Sequence, residues 1–109
     1  MREFTKAERK LLRELAGKVY EAEAHGILEE LDAEFTRWRT GEIWSSDLLA
    51  AIHEFHQRRS RELWSTYQSM KESQIVARGI AMGLLDRTEV GEPLRGRLES
   101  LIDLFSRDR

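Results

Sequence analysis

The sequence contains no cysteine, and this absence excludes both a disulfide framework and a metal site built on thiolates. It contains a single proline and few β-branched residues, which argues against strands, whereas Glu, Leu, Ala and Arg, all good helix formers, dominate. No apolar run approaches the ~18 residues that a membrane span needs, and the first residues lack the apolar stretch of a signal peptide. We therefore expect a cytoplasmic, all-α protein with one helical domain, 1–109.

The chain also lacks a charge imbalance that would identify a partner. Eighteen Lys and Arg residues stand against 20 Asp and Glu residues, so the formal net charge is −2. A strongly basic field, typical of proteins that bind nucleic acid, is absent. No nucleophile elbow, phosphate-binding loop, Gly-x-Gly-x-x-Gly or His-Glu-x-x-His motif is found. The sequence therefore assigns no catalytic residue and no cofactor.

Helical periodicity is the main positive signal, and it is longest at the start of the chain. Thr5 and Glu8 match a capping box, and apolar residues then recur near every 3.6 positions from Leu12 to Trp38, in phase through two glycines. An unbroken helix of about 35 residues would be roughly 50 Å long, whereas a compact chain of this size is only about 35 Å across. We therefore predict a continuous helix whose protruding apolar residues are covered in a homodimer. The predicted interface residues are Leu31, Phe35, Trp38 and Trp44.

A second helix is predicted over about 46–70. Glu54, Arg58 and Glu62 are spaced by four on this helix, which predicts a solvated row of ion pairs. The residues predicted to mark its inner face are Leu48, Leu49, Ile52, Phe55, Leu63, Tyr67 and Met70.

Two further helices complete a predicted bundle of three to four helices. The segment 75–85 is apolar nearly all round, which predicts a buried central helix. Gly79 and Gly83, one turn apart, would allow another backbone to approach closely. After a loop, Pro93 suits the first turn of the last helix. The apolar seam of that helix comprises Leu94, Leu98, Leu101 and Phe105.

The segment around Gly41 resembles a calcium loop in outline only. Gly41, Ile43 and Asp47 fall in the register of such a loop, but an indole and two guanidinium groups stand at or beside the positions that should supply oxygen ligands. Gly41 is instead predicted to end the first helix in the left-handed conformation. Ser45 or Ser46 is predicted to cap the second helix.

The histidines support an alternative hypothesis, a metal-binding helical bundle. His53 and His56 project from one side of the second helix, and His25 lies four residues from both Glu21 and Glu29. Bundle metal sites use Glu-x-x-His pairs on facing helices, and no Glu precedes either second-helix histidine by three. His56 is in phase with core positions, which favours partly buried structural histidines over metal ligands.

A second alternative is a weak nucleic-acid contact through one basic and aromatic cluster. Arg58, Arg59 and Arg61 could contact phosphates, and Trp64 could stack on a base. Glutamates flank this cluster and neutralise part of its field, so a solvated face of ion pairs is the favoured interpretation.

Three tryptophans, Trp38, Trp44 and Trp64, are many for a chain of this length. Tryptophan is enriched at interfaces as well as in cores, and core packing is the favoured interpretation. Trp44 is predicted to pack against the first turns of the next helix, as a staple residue does.

The segments GEI at 41–43, IHEFH at 52–56, SRELW at 60–64 and IVARGIAMGLLD at 75–86 together resemble a known pattern. They are similar to a group of small, uncharacterised bacterial helical proteins that share a GEI…L…IHEFH…SREL(W/Y) pattern. That resemblance implies a free-standing bacterial cytosolic protein and supplies no catalytic residues. The residues therefore favour protein–protein association, as a homo-oligomer or an adaptor module, with no catalytic activity inferred.

Overall fold

The computed structural model describes residues 3–107, which form four helices and contain no strand. The all-α prediction with a long first helix is therefore confirmed. The second of these helices runs without a break from 45 to 68 and contains a π-helical segment near its middle. The elements are α1 (Lys6–Arg39), α2 (Ser45–Glu54), the π segment (Phe55–Arg59), α3 (Ser60–Gln68), α4 (Glu72–Ala81), a 3₁₀ turn (Arg87–Glu89) and α5 (Leu94–Arg107).

Helix α1 begins at the predicted capping box. The Thr5 N–H donates to Glu8 Oε1 at 2.9 Å, and the Glu8 N–H donates to Thr5 Oγ1 at 3.1 Å. The two bonds satisfy amides that the first turn leaves unpaired. From there α1 is continuous for 34 residues, through both of its glycines. The prediction of an unbroken first helix is confirmed.

The described residues divide into two compact units. Unit 1 comprises 3–22 and 70–107, so it holds the first part of α1 together with α4 and α5. Unit 2 comprises Glu23–Ser69, so it holds the last part of α1 and the helix 45–68.

Unit 1 has a well-filled apolar core to which all three of its helices contribute. Val19, Val76 and Leu98, one from each helix, are completely inaccessible to solvent. A Cβ added to Gly79 would lie only 2.8 Å from Val19 Cγ1, so α4 approaches α1 as closely as a glycine permits. The predicted burial of the third helix and its tight packing at Gly79 are confirmed.

At the edge of this core, Arg97 on α5 contacts Phe4 and Glu8 at the start of the described residues. Arg97 Nη1 donates to Glu8 Oε1 at 3.0 Å, and the same guanidinium lies 4.4 Å from the centroid of the Phe4 ring. The backbone amide of Thr5 and, next, the nearby Arg97 hold the pKa of Glu8 below its usual value against the opposing effect of burial.

Unit 2 is a helical hairpin with a much smaller interior. Tyr67 Oη donates to Glu23 Oε1 at 2.6 Å, and Arg59 Nη2 donates to Glu30 Oε2 at 2.7 Å, so two polar contacts tie its helices together. Only Ile27 and Leu48 are buried apolar residues among those described in this unit.

Two glycines end helices in the left-handed conformation. Gly41 has φ of 81° and Gly83 has φ of 77°. In each case the backbone N–H groups of the glycine and of the next residue donate to carbonyl oxygens in the last turn of the helix, as in a Schellman motif. The predicted role of Gly41 is confirmed. The predicted role of Gly83 in backbone approach is wrong, because nothing lies within 4 Å of a Cβ added there and the residue terminates α4.

None of the helices found within 3–107 is both long and apolar enough to cross a membrane.

Candidate interaction surface

Unit 2 exposes large apolar side chains. Trp44 is 79% exposed, Leu49 67%, Trp64 66%, Leu28 56% and Trp38 40%. We call these five residues the exposed apolar set. Single exposed apolar residues are ordinary, but unit 2 exposes five large ones and buries only two apolar residues. The favoured interpretation of the tryptophans as core residues is therefore wrong.

The turn between α1 and α2 positions two of these residues. Trp38 Nε1 donates to Ser45 Oγ at 3.0 Å, which fixes one edge of its indole and leaves part of the ring accessible. The Trp44 backbone is extended, and its N–H donates to Asp47 Oδ2 at 2.9 Å. Trp44 is thus the residue at the N-cap, so the predicted serine caps at Ser45 or Ser46 are wrong. The predicted staple is also wrong, because the Trp44 ring lies in solvent.

The helix 45–68 presents its first face to α1. Leu48 is buried, and Arg59 and Tyr67 reach polar partners on α1. The prediction that Leu49 lies on this inner face is wrong. Successive residues of an α-helix differ by about 100° in direction, so Leu48 and Leu49 cannot both face α1.

The second face carries ion pairs. Arg58 Nε donates to Glu54 Oε1, and Arg58 Nη1 lies 3.7 Å from Glu62 Oε1. The hydrogen bond that Arg58 donates to Glu54, together with the charge of that carboxylate, raises the pKa of Arg58. The predicted row of alternating charges is confirmed, and it leaves this guanidinium with two carboxylate partners.

The third face contains the exposed residues Leu49, His53, His56 and Trp64, with half-buried Ser60 between the last two. We call these five residues the Leu49–Trp64 face. At the α-helical period, Leu49 and Trp64 would be about 60° out of line. The wider turn of the π segment, which lies between them, reduces that offset.

One histidine prediction is wrong. His56 is exposed and not partly buried. It lies seven residues, almost two turns, after exposed Leu49, so its side chain projects from the same side of the helix as Leu49.

The α1 part of unit 2 adds a second row of apolar residues. Leu28, Leu31, Phe35 and Trp38 follow at intervals of three and four, and therefore lie on one side of α1. Leu31 and Phe35 are half-buried, and the Arg39 guanidinium lies 5.9 Å from the centroid of the Phe35 ring. Of the predicted interface residues, Trp38 and Trp44 are exposed and Leu31 and Phe35 are partly covered.

The residues of the metal hypothesis are not assembled into a ligand set. His25 Nε2 lies 2.8 Å from Glu29 Oε1, and both side chains are exposed. Glu21, His53 and His56 are exposed as well. Within 3–107, no group of three or more His, Asp or Glu side chains is close enough to hold a metal ion.

Two of the three arginines of the nucleic-acid hypothesis are engaged with carboxylates. Arg58 pairs with Glu54 and Arg59 pairs with Glu30. Arg61 and Trp64, with two serines, line a shallow hollow on α3. The nine acidic residues of unit 2 outnumber its five basic ones, which opposes the approach of a polyanion.

A second hollow lies in unit 1 between the start of α1 and the start of α4, and both of its arginines have polar partners. Arg9 Nη1 donates to the carbonyl oxygen of Phe4 at 2.7 Å, and Arg13 Nε lies 3.9 Å from Glu72 Oε2. The two arginines that line this hollow are therefore already engaged by acceptors.

Comparison of the chain with protein-family models, with curated proteins and with solved structures finds no match. The resemblance to the bacterial helical group described above therefore stays a prediction.

Sequence reasoning missed Leu28 and Leu49 as exposed residues. The signal was available in both cases, because each directly follows another apolar residue, Ile27 or Leu48, that is buried. Two consecutive residues of a helix point in different directions, so one of each pair had to leave the core face.

Proposed function

We propose that the protein acts by protein–protein association, and that unit 2 binds a second copy of the chain through its exposed apolar set. The observation that carries this proposal is the imbalance within unit 2, which has two buried apolar residues and five exposed large ones.

The size of the exposed rings supports an interface of useful area. Tryptophan buries roughly 150–250 Å² on complete burial, so the accessible parts of Trp38, Trp44 and Trp64 amount to roughly 300–450 Å². A stable interface buries about 800 Å² per partner. The three tryptophans alone would supply about half of that area, and the leucines and neighbouring half-buried side chains would add to it.

The hairpin architecture of unit 2 also favours a helical partner. Two antiparallel helices bury one face each, whereas four helices enclose a core between them. A second hairpin would supply the missing pair of helices.

Light scattering coupled to size exclusion tests this proposal directly. We expect a dimer mass at micromolar concentration. Because the association is apolar, the dimer should persist at high salt, which weakens contacts between exposed charges. A monomer mass at all concentrations up to hundreds of micromolar would refute the proposal.

A matched pair of variants locates the interface. Leu49 in unit 2 and Leu104 in unit 1 are 67% and 52% exposed, so Leu49→Ala and Leu104→Ala remove the same groups from similar environments. We expect Leu49→Ala to weaken the dimer and Leu104→Ala to leave it unchanged. Trp44→Ala and Trp64→Ala should each weaken the dimer as well, because each substitution removes a large exposed ring from the proposed interface. Equal effects of the two leucine substitutions would place the interface elsewhere.

A further inference from the structure

We infer that the second copy docks through the helix 45–68, which pairs with its counterpart in antiparallel orientation about a two-fold axis near residues 56 and 57. This inference rests on the proposed function and adds the register of the association. A two-fold interface requires that if residue i faces residue j, residue j also faces residue i. In this register the two numbers of every facing pair add up to 113.

The Leu49–Trp64 face is self-complementary in this register. Leu49 of one copy lies opposite Trp64 of the other, and the same pair recurs at the far end. His53 lies opposite Ser60, while His56 and its neighbour Gln57 lie at the axis. Both members of the apolar pair are more than half exposed in the single chain. The face carries no carboxylate, so the pairing buries no acidic group without a partner.

The helix itself has the same centre as the proposed pairing. It begins at Ser45 and ends at Gln68, so the antiparallel register overlaps all of it, end against end. The π segment, Phe55–Arg59, is centred on Gln57 and therefore lies at the axis. A shifted register would lose both the full overlap and the Leu49–Trp64 pair.

Helix dipoles distinguish this arrangement from the parallel one. In a parallel pair about a two-fold axis each residue faces itself, so the two helix N-termini lie together, as do the two C-termini, and the like partial charges at these ends repel each other. In the antiparallel register the N-terminus of one helix, at Ser45, lies beside the C-terminus of the other, at Gln68, where the partial charges are opposite.

Cysteine cross-linking tests the register on the full chain, because the protein has no cysteine of its own. His53→Cys and a tagged Ser60→Cys variant are mixed and oxidised. We expect most of the material to become a covalent dimer that contains one chain of each kind. His53→Cys alone should cross-link little, because the two His53 positions would be about seven residues, or roughly 10 Å, apart, and a disulfide needs Cα atoms within about 7 Å.

Two controls complete the design. Ala50 is exposed and lies off the Leu49–Trp64 face, so Ala50→Cys mixed with Ser60→Cys should not cross-link. Leu49→Cys alone should cross-link only if the helices run parallel. Circular dichroism and light scattering under reducing conditions establish that each variant is folded and show its mass.

The outcomes separate the register from the association itself. A dimer mass without the 53–60 cross-link, or with efficient cross-linking of Leu49→Cys to itself, would overturn the register and leave the proposed function standing. A monomer mass for the unmodified chain at every concentration would overturn the proposed function, and would mean that something other than a second copy covers this face.

Discussion

The two units use their apolar residues in opposite ways. Twelve of the 14 buried apolar residues among those described lie in unit 1, and two lie in unit 2. Unit 2 nevertheless holds all three tryptophans, and each is at least 40% exposed. Unit 1 has three helical segments around its core, whereas unit 2 has two.

The two units differ in how completely their helices exclude water from apolar side chains. A core enclosed by three helices can exclude water from side chains such as Val19 and Leu98. A hairpin of two helices excludes water from one face of each helix only. Its remaining apolar side chains stay in solvent. We therefore attribute folding stability mainly to unit 1, and the proposed association would use unit 2.

The largest expected effect is the loss of a core leucine in unit 1. Leu98 is completely buried, and we expect Leu98→Ala to lower the free energy of unfolding by about 2–5 kcal/mol, through lost transfer energy and a residual cavity. Leu48→Ala in unit 2 should cost less, because fewer buried neighbours surround it. Leu104→Ala, on the same helix as Leu98, should change stability by less than about 0.5 kcal/mol. Urea denaturation measures all three, and equal losses at Leu98 and Leu48 would contradict the comparison.

A smaller effect is expected at the close approach of α4 to α1. Gly79→Ala would press a methyl group against Val19, and we expect it to cost about 1–3 kcal/mol. Gly17→Ala and Gly26→Ala are matched controls, because nothing lies within 4 Å of a Cβ added at either helical position. Each should stabilise α1 by up to about 1 kcal/mol.

A double-mutant cycle sharpens this test. Val19→Ala makes room for the new methyl group, so the cost of Gly79→Ala should fall when both changes are combined. Additive losses would mean that the contact with Val19 is not the cause.

Hydrogen exchange compares the two units without any substitution. We expect the amides of the helix 45–68 to exchange at least about tenfold faster than those of α4 and α5, because local opening of unit 2 exposes little buried apolar surface. If a second copy covers unit 2, its protection should rise with protein concentration while that of unit 1 changes little. Mass spectrometry of peptides from each unit measures both effects. Equal protection in dilute solution would remove the distinction between the units.

The smallest expected effect concerns the pH dependence of unit 1. The pKa of Glu8 is lowered in the folded protein, first by the Thr5 amide and then by Arg97. The ionised carboxylate therefore adds stability above its ordinary pKa of about 4.3, and this contribution disappears as the pH falls through the lower folded value. We expect Glu8→Gln to be less stable than the unmodified protein at neutral pH, with the difference shrinking in acid. Denaturation at several pH values measures it, and exposed Glu14→Gln is the control. A difference that is constant from neutral to acidic pH would exclude the ionic contribution.

Much of the helical framework was predictable because its signals are local. The capping box at Thr5, the left-handed glycine at Gly41 and the apolar period of α1 each depend on residues within a few turns of one another. The ion-pair row on α2 and α3 is equally local, since its members are four residues apart.

The candidate surface was less predictable, because it depends on what lies beside each helix. His56 lies four residues after half-buried Ile52 and seven residues after exposed Leu49, so its spacing alone does not show whether it is buried. The exposed tryptophans have the composition of a core, and only the absence of a third neighbouring helix in unit 2 leaves them in solvent.

The sequence by itself determined that this chain is all-α, that its first helix continues from Lys6 to Arg39, and where that helix begins and ends. Those properties follow from backbone hydrogen bonds and side-chain contacts within a turn or two. Only the tertiary structure decided which apolar residues are buried, because burial depends on how many helices surround a position. The same kind of side chain is therefore buried in unit 1 and exposed to solvent in unit 2.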